Sequence, residues 1–182
     1  MSKKLTVGFI GLGTMGSKIC RNIMKAGYPS VVSDINRAVV DEFLEEGAQT
    51  AASLKELAEM VDVVITMLPS SKEVEAVALS SNGLIDGLKK GSVLIDMTTA
   101  NPMKTKELSE ILGEKGIEMI DAPVSGGAVK AKDGTLTIMV GGKEEVFKKC
   151  LPVLEAAGEK IFYIGPISSG HSMKLVNNFL TG

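Results

Sequence analysis

Four residues near the start of the chain have the types and spacing to hold a diphosphate and the sugar beside it. Gly11, Gly13 and Gly16 form a G-x-G-x-x-G loop, Gly11-Leu12-Gly13-Thr14-Met15-Gly16, between an apolar run over 5–10 and a helical pattern over 17–25. A chain leaving a strand turns sharply at Gly11. Gly13 has no Cβ, so a pyrophosphate can approach its backbone, and Gly16 lets the next helix sit close on the strand. That helix starts with unpaired N–H groups and the positive end of its dipole, both of which favour an anion. Asp34, 18 residues past Gly16 at the end of an apolar run over 28–32, is the fourth member. Its carboxylate can accept hydrogen bonds from ribose hydroxyls and repels a 2′-phosphate, which favours NAD over NADP. Arg37 keeps NADP open, because a guanidinium there can hold that phosphate. Without a ligand, Asp34 would cap the helix that begins near Asn36, and Arg37 would be a solvated charge.

A second set of reactive groups lies late in the chain. If a helix opens at Ser169 or Gly170, Lys174 and Asn178 are i and i+4 and share a face. A lysine and a carboxamide beside a glycine-rich start could transfer a proton, although such a pair is also common on a solvated face. Within Asp121-Ala122-Pro123-Val124-Ser125-Gly126-Gly127-Ala128, Ser125 offers a hydroxyl, and Gly126 and Gly127 expose backbone N–H groups. Together they could cradle a carboxylate; the plainer alternative is a glycine-rich turn into a strand over 135–140. His171, the one histidine, is expected to cap or line the cleft one helical turn before Lys174. A role as base is the lesser alternative.

The elements that must position these groups alternate as strand, loop and helix. Gly47 stops a helix over 37–46, a weak strand follows over 48–51, and Ser53 with Glu56 forms a capping box for a helix to Met60. The continuous β-branched run over 61–67 and the run over 92–97 read as buried parallel strands. A helix starts near Ser71, and Asn101-Pro102 start another. Strands over 116–120 and 161–164 and a helix over 143–157 complete the pattern. The expected fold is α/β: an open, mostly parallel sheet with helices on both faces. In such sheets ligands bind beyond the carboxyl ends of the strands. That rule gathers Gly11–Gly16, Asp34, Leu68-Pro69, Thr98-Thr99 and the loop after Ile120 into one cleft. Pro69 could also be only a loop stop, and Thr99 only a helix-start hydroxyl.

Composition narrows the function. A chain of 182 residues suffices for one α/β domain. A net charge of −2 gives no electrostatic footprint for nucleic acid or an anionic membrane surface. No apolar run approaches a membrane span, and Met1 to Leu5 is too short before the first strand to be a signal peptide. Cys20 and Cys150 lack metal or redox spacing and read as buried thiols in a reducing cytosol. The expected protein is cytoplasmic, with no metal.

The ordered motifs Gly8-Phe9-Ile10-Gly11-Leu12-Gly13-Thr14-Met15-Gly16, Asp121-Ala122-Pro123-Val124-Ser125-Gly126-Gly127 and Lys174…Asn178 resemble the β-hydroxyacid dehydrogenase family, across essentially the whole chain. The resemblance implies a Rossmann-type doubly wound domain over 1–165, with residues 166–182 starting an interdomain helix. It implies NAD as cofactor, and an oxidoreductase that interconverts a small hydroxy acid and its oxo form. Lys174 matches the catalytic lysine and Asn178 the substrate-binding asparagine. Ser125, Gly126 and Gly127 match the substrate-carboxylate loop, and Leu68, Pro69 and Thr99 match cofactor contacts. The chain departs from the pattern at Ser168, where relatives place the first glycine of a Gly-x-Gly before the lysine helix. Relatives also continue past Asn178 into an all-helical second domain that closes the cleft and supplies dimer contacts. A homo-oligomer is therefore expected of the full-length protein, and the present chain is expected to turn over poorly. The alternative from another class is a non-catalytic dinucleotide-binding module.

Overall fold

A computed structural model describes residues 4–181; the reading of Met1 to Leu5 as too short for a leader lies outside them for Met1 to Lys3. Five parallel strands form the body of the sheet: β1 (Val7–Ile10), β2 (Ser30–Ser33), β3 (Val63–Thr66), β4 (Val93–Asp96) and β5 (Glu118–Asp121), in the order β2-β1-β3-β4-β5. Successive side chains feed opposite faces, as a strand requires. Val7, Phe9, Val63, Ile65, Val93 and Ile95 meet one face, covered by α1 (Gly16–Lys25), α2 (Arg37–Glu45) and α7 (Glu144–Ala157). Ile10, Val31, Val64, Leu94 and Met119 meet the other, covered by α3 (Leu54–Met60), α4 (Ser71–Leu79) and α5 (Pro102–Glu114). Burial on both faces explains the continuous apolar runs.

The helix starts follow the expected cap chemistry. Ser53 Oγ accepts from the Glu56 amide at 3.1 Å, and Glu56 Oε2 accepts from the Ala52 amide at 2.7 Å. Asn101 Oδ1 accepts from the Met103 amide at 2.9 Å, with Pro102 in the first turn. The weak strand expected over 48–51 shrinks to a single bridge between Val31 and Gln49.

The far side of the sheet departs from a purely parallel array. Asp121 pairs with Gly141, and Val124 and Ser125 of β6 (Val124–Ser125) pair with Ile138 and Thr137 of β7 (Leu136–Gly141), all antiparallel. The register is continuous, so β6 prolongs β5. Pro123, which has no N–H to give, still accepts from the Met139 amide at 3.1 Å. β8 (Gly158–Gly165) then runs parallel to β7. The stretch after Ser125 is not a turn into the next strand: Gly127–Asp133 forms a helix, α6, ended by Gly134 in the left-handed conformation. The last helix, α8 (Ser169–Thr181), begins where the lysine pattern requires.

Ser168, just before α8, holds φ 75°. That region costs a non-glycine residue roughly 1–2 kcal/mol, while glycine adds roughly 0.4–1 kcal/mol of unfolded-state entropy. Ser168→Gly is therefore expected to stabilise the fold by roughly 0.5–1 kcal/mol, read as a higher urea midpoint with an unchanged m-value.

Candidate active site

Ile10, Thr66, Asp96 and Asp121 lie in one register row at the carboxyl ends of β1, β3, β4 and β5. The loops beyond that row form the site. At Gly11 the chain turns with φ 97°, and a Cβ would strike the Met67 carbonyl oxygen. A Cβ at Gly16 would strike the Gly11 carbonyl, whereas one at Gly13 would meet nothing within 4 Å. So Gly11 and Gly16 close the turn and Gly13 leaves it open. The amides of Ser17, Lys18 and Ile19 find carbonyls of Gly13 and Met15, but those of Gly13, Thr14, Met15 and Gly16 have no partner among the described residues. No acidic residue occupies the first turn of α1. Four free N–H groups at a helix start make a seat for a diphosphate.

Asp34 ties this loop to the end of β2. Its Oδ2 accepts from the Leu12 amide at 2.6 Å and its Oδ1 from the Asn36 amide at 2.7 Å. Both oxygens are thereby oriented, and a carboxylate retains lone pairs for ribose hydroxyls. Asn36, not Asp34, is the side-chain cap of α2. A cleft of about 730 Å³ opens here. Its walls include Gly11, Gly13, Thr14, Met15, Gly16, Asp34, Leu68 and Pro69, as the sequence suggests. Three expected cofactor residues are not in those walls. Leu12 is buried, and Thr99 is exposed beyond β4. Arg37 lies with its Nε 3.2 Å from Asp41 on the exposed side of α2.

Among the wall residues that escaped the sequence reading, Ile35 and Glu73 stand out. Ile35 is fully exposed on the lip of the cleft. Glu73 lies on the α4 side, where Ser70 Oγ donates to its Oε2 at 2.6 Å and holds the carboxyl below its usual range. The Ser70…Glu73 spacing signals a capping box, but nothing in it says that the carboxylate faces a cleft. Asp34 and Glu73 both stand in the walls, and neither lysine nor arginine is among the lining residues.

The lysine helix is anchored to the same edge. Asp121, fully buried, accepts from the Ser168 amide at 2.8 Å and the His171 amide at 2.6 Å. Burial pushes its carboxyl up, and His171 and these amides pull the other way. Gly170 admits the close approach: a Cβ there would strike the Met139 carbonyl. His171 neither lines the cleft nor caps through its ring. It is fully buried. Its Nε2 donates to the Thr98 carbonyl at 2.8 Å, and its Nδ1 lies 2.7 Å from Thr105 Oγ1. Asp96 and Asp121 each stand 3.8 Å from a ring nitrogen. A ring so enclosed is not available as a base for an external substrate.

One turn on, Lys174 is half-buried, and burial pushes its ammonium pKa down. Asn178 is exposed a further turn along. Ser125 ends β6 half-buried, and Gly126 and Gly127 are exposed with φ 131° and 69°. These five residues lie outside the cleft walls. Ser125 follows β5 past the carboxyl edge, and Lys174 is one turn from the Asp121 anchor.

The anchor makes a measurable demand. In Asp121→Asn only one oxygen remains for two amide donors, and the leftover donor costs on the order of 2 kcal/mol. The variant is expected to lose about that much stability in urea unfolding, with faster amide exchange at Ser168 to Lys174 than elsewhere.

Residues 6–165 match the family profile of the NAD binding domain of 6-phosphogluconate dehydrogenase. The chain is 45% identical over 180 residues to mitochondrial 3-hydroxyisobutyrate dehydrogenase of Mus musculus, over 99% of this chain and 54% of that protein. It is 40% identical over 182 residues to 2-(hydroxymethyl)glutarate dehydrogenase of Eubacterium barkeri, over 100% of this chain and 60% of that protein. The structure of Mycobacterium tuberculosis 3-hydroxyisobutyrate dehydrogenase with L-serine superposes with a TM-score of 0.93 at 30% identity, over 98% of this chain and 60% of that one. The chain thus spans little more than half the length of the curated relatives it matches. It belongs to the β-hydroxyacid dehydrogenase family, as an N-terminal NAD-binding domain.

Proposed function

We propose that this chain is the cofactor-binding and lysine-bearing part of an NAD-dependent oxidoreductase that interconverts a small hydroxy acid and its oxo form. The observation that carries the reading is the set of four free amides at Gly13 to Gly16, beside the oriented Asp34 carboxylate. In this reading those amides hold the pyrophosphate and Asp34 holds the adenosine ribose, with Leu68, Pro69 and Thr99 as further contacts. NAD bound there supplies the hydride acceptor for oxidation and, when reduced, the hydride donor.

The chain's own groups supply the rest. Ser125 and the amides of Gly126 and Gly127 hold the substrate carboxylate, and Asn178 orients the substrate. Lys174 Nζ, when neutral, takes the hydroxyl proton; as an ammonium it returns that proton and stabilises the forming alkoxide. Burial, which favours the neutral amine, supports this assignment. The three compounds named with the relatives, 3-hydroxyisobutyrate, 2-(hydroxymethyl)glutarate and L-serine, each carry a hydroxymethyl group on the carbon next to a carboxylate. A substrate of that class is proposed here too. The buried, unpaired Cys20 and Cys150, whose thiols burial pushes up to about 12, suit a reducing compartment such as the cytoplasm. A homo-oligomer is proposed for the full-length protein.

The test is NADH formation by the full-length protein with each of these three acids. Lys174→Ala is expected to lower kcat by about 10²–10⁴-fold. Oxidation should fall as pH drops through a pKa below the ordinary lysine value of about 10.4, because the ammonium cannot accept a proton. Reduction should fall as pH rises through it. Cofactor binding with no Lys174-dependent turnover would favour the non-catalytic module.

A further inference from the structure

A continuous chain of hydrogen bonds joins the cleft wall to the lysine helix. The Leu68 amide donates to Thr98 Oγ1 at 3.1 Å. The carbonyl of the same Thr98 accepts from His171 Nε2 at 2.8 Å, and the His171 amide donates to Asp121 Oδ2 at 2.6 Å. Thr105 Oγ1, from α5, meets the other ring nitrogen at 2.7 Å. Every side chain of this chain is buried: Thr98, Thr105, Asp121 and His171 expose 3% or less. The imidazole is therefore held on both edges, by two segments that α8 does not otherwise bond through its side chains.

We propose that His171 is a positioning residue that couples the cofactor loop at Leu68 to the first turn of α8, so that filling the cleft orders Lys174. The proposal rests on the cleft being the dinucleotide site. A ligand packed against Leu68 and Pro69 restrains the backbone whose amide holds Thr98. Thr98 restrains the imidazole through its carbonyl, and the imidazole restrains the turn that carries Lys174 three residues later. The coupling is reciprocal: whatever orders α8 also tightens cofactor binding, by the same factor.

The experiment is hydrogen exchange resolved along this chain, with and without saturating NAD⁺, alongside calorimetric titration of NAD⁺. In the wild type, NAD⁺ should slow exchange at residues 169–174 by about tenfold beyond its effect on α7, a coupling of ordinary size. His171→Ala should lose that extra protection and, by the same reciprocity, bind NAD⁺ more weakly by up to about tenfold. His171→Gln, which keeps an N–H donor for the Thr98 carbonyl, should restore part of it. Thr98→Val cuts the chain at its other end, removes no hydrogen bond of α8, and should uncouple in the same way, so the proposal does not depend on His171→Ala folding. Wild-type binding without extra protection at 169–174 overturns the coupling alone, as does full protection in a folded Thr98→Val. No NAD⁺ binding by the wild type overturns the cofactor reading beneath it.

Discussion

The arrangement of this site depends on one buried carboxylate. Asp121 ends β5 with no exposed surface and accepts the Ser168 and His171 amides at the start of α8. Burying an unpaired carboxylate costs several kcal/mol. Here two N–H groups and the positive end of a helix offset that cost, but only if α8 comes within hydrogen-bond reach. Gly141 and Gly170 make that reach available, since a Cβ on either would press on Asp121 or its neighbours. The position of Lys174 thus follows from a solvation problem solved three residues earlier, and not from a hydrogen bond or ion pair of its own among the described residues.

The cleft is governed by the opposite balance. Its glycine loop presents amide donors that have no acceptor among the described residues, and its other walls present two carboxylates with no lysine or arginine beside them. Asp34 and Glu73 are each held by a protein donor, the Leu12 and Asn36 amides for one and the Ser70 hydroxyl for the other. Held groups need no reorganisation when a ligand arrives. A further phosphate placed beside these two carboxylates would meet charge of its own sign. That repulsion acts against a 2′-phosphate. Arg37 pairs with Asp41 outside the cleft walls.

Much of this was legible in the residues, and the division is physical. The glycine loop, Asp34, the caps at Ser53 and Asn101 and the parallel body of the sheet are local patterns, each complete within a few residues of chain. The start of α8 was legible too, because Lys174 and Asn178 share a helical period. The crossing of β5 into β6 was not, because an antiparallel partner beyond Pro123 is decided by β7, which comes later in the chain. Helix α6 was hidden behind the Gly126-Gly127 pair, which reads equally well as a turn. The network of Thr66, Asp96, Thr98, Thr105, Asp121 and His171 was invisible for a stronger reason. Its members come from six elements or loops, and only folding shows that a lone histidine is enclosed and not presented to the cleft. The same holds for Glu73, whose capping role is local but whose facing is tertiary.

The measurement that bears most directly on this account is a parallel calorimetric titration of the chain with NAD⁺ and NADP⁺. The account predicts saturable binding of NAD⁺ and at least about tenfold weaker binding of NADP⁺, in keeping with charge repulsion at Asp34 and Glu73. Equal or tighter binding of NADP⁺, or no binding of either, would contradict it.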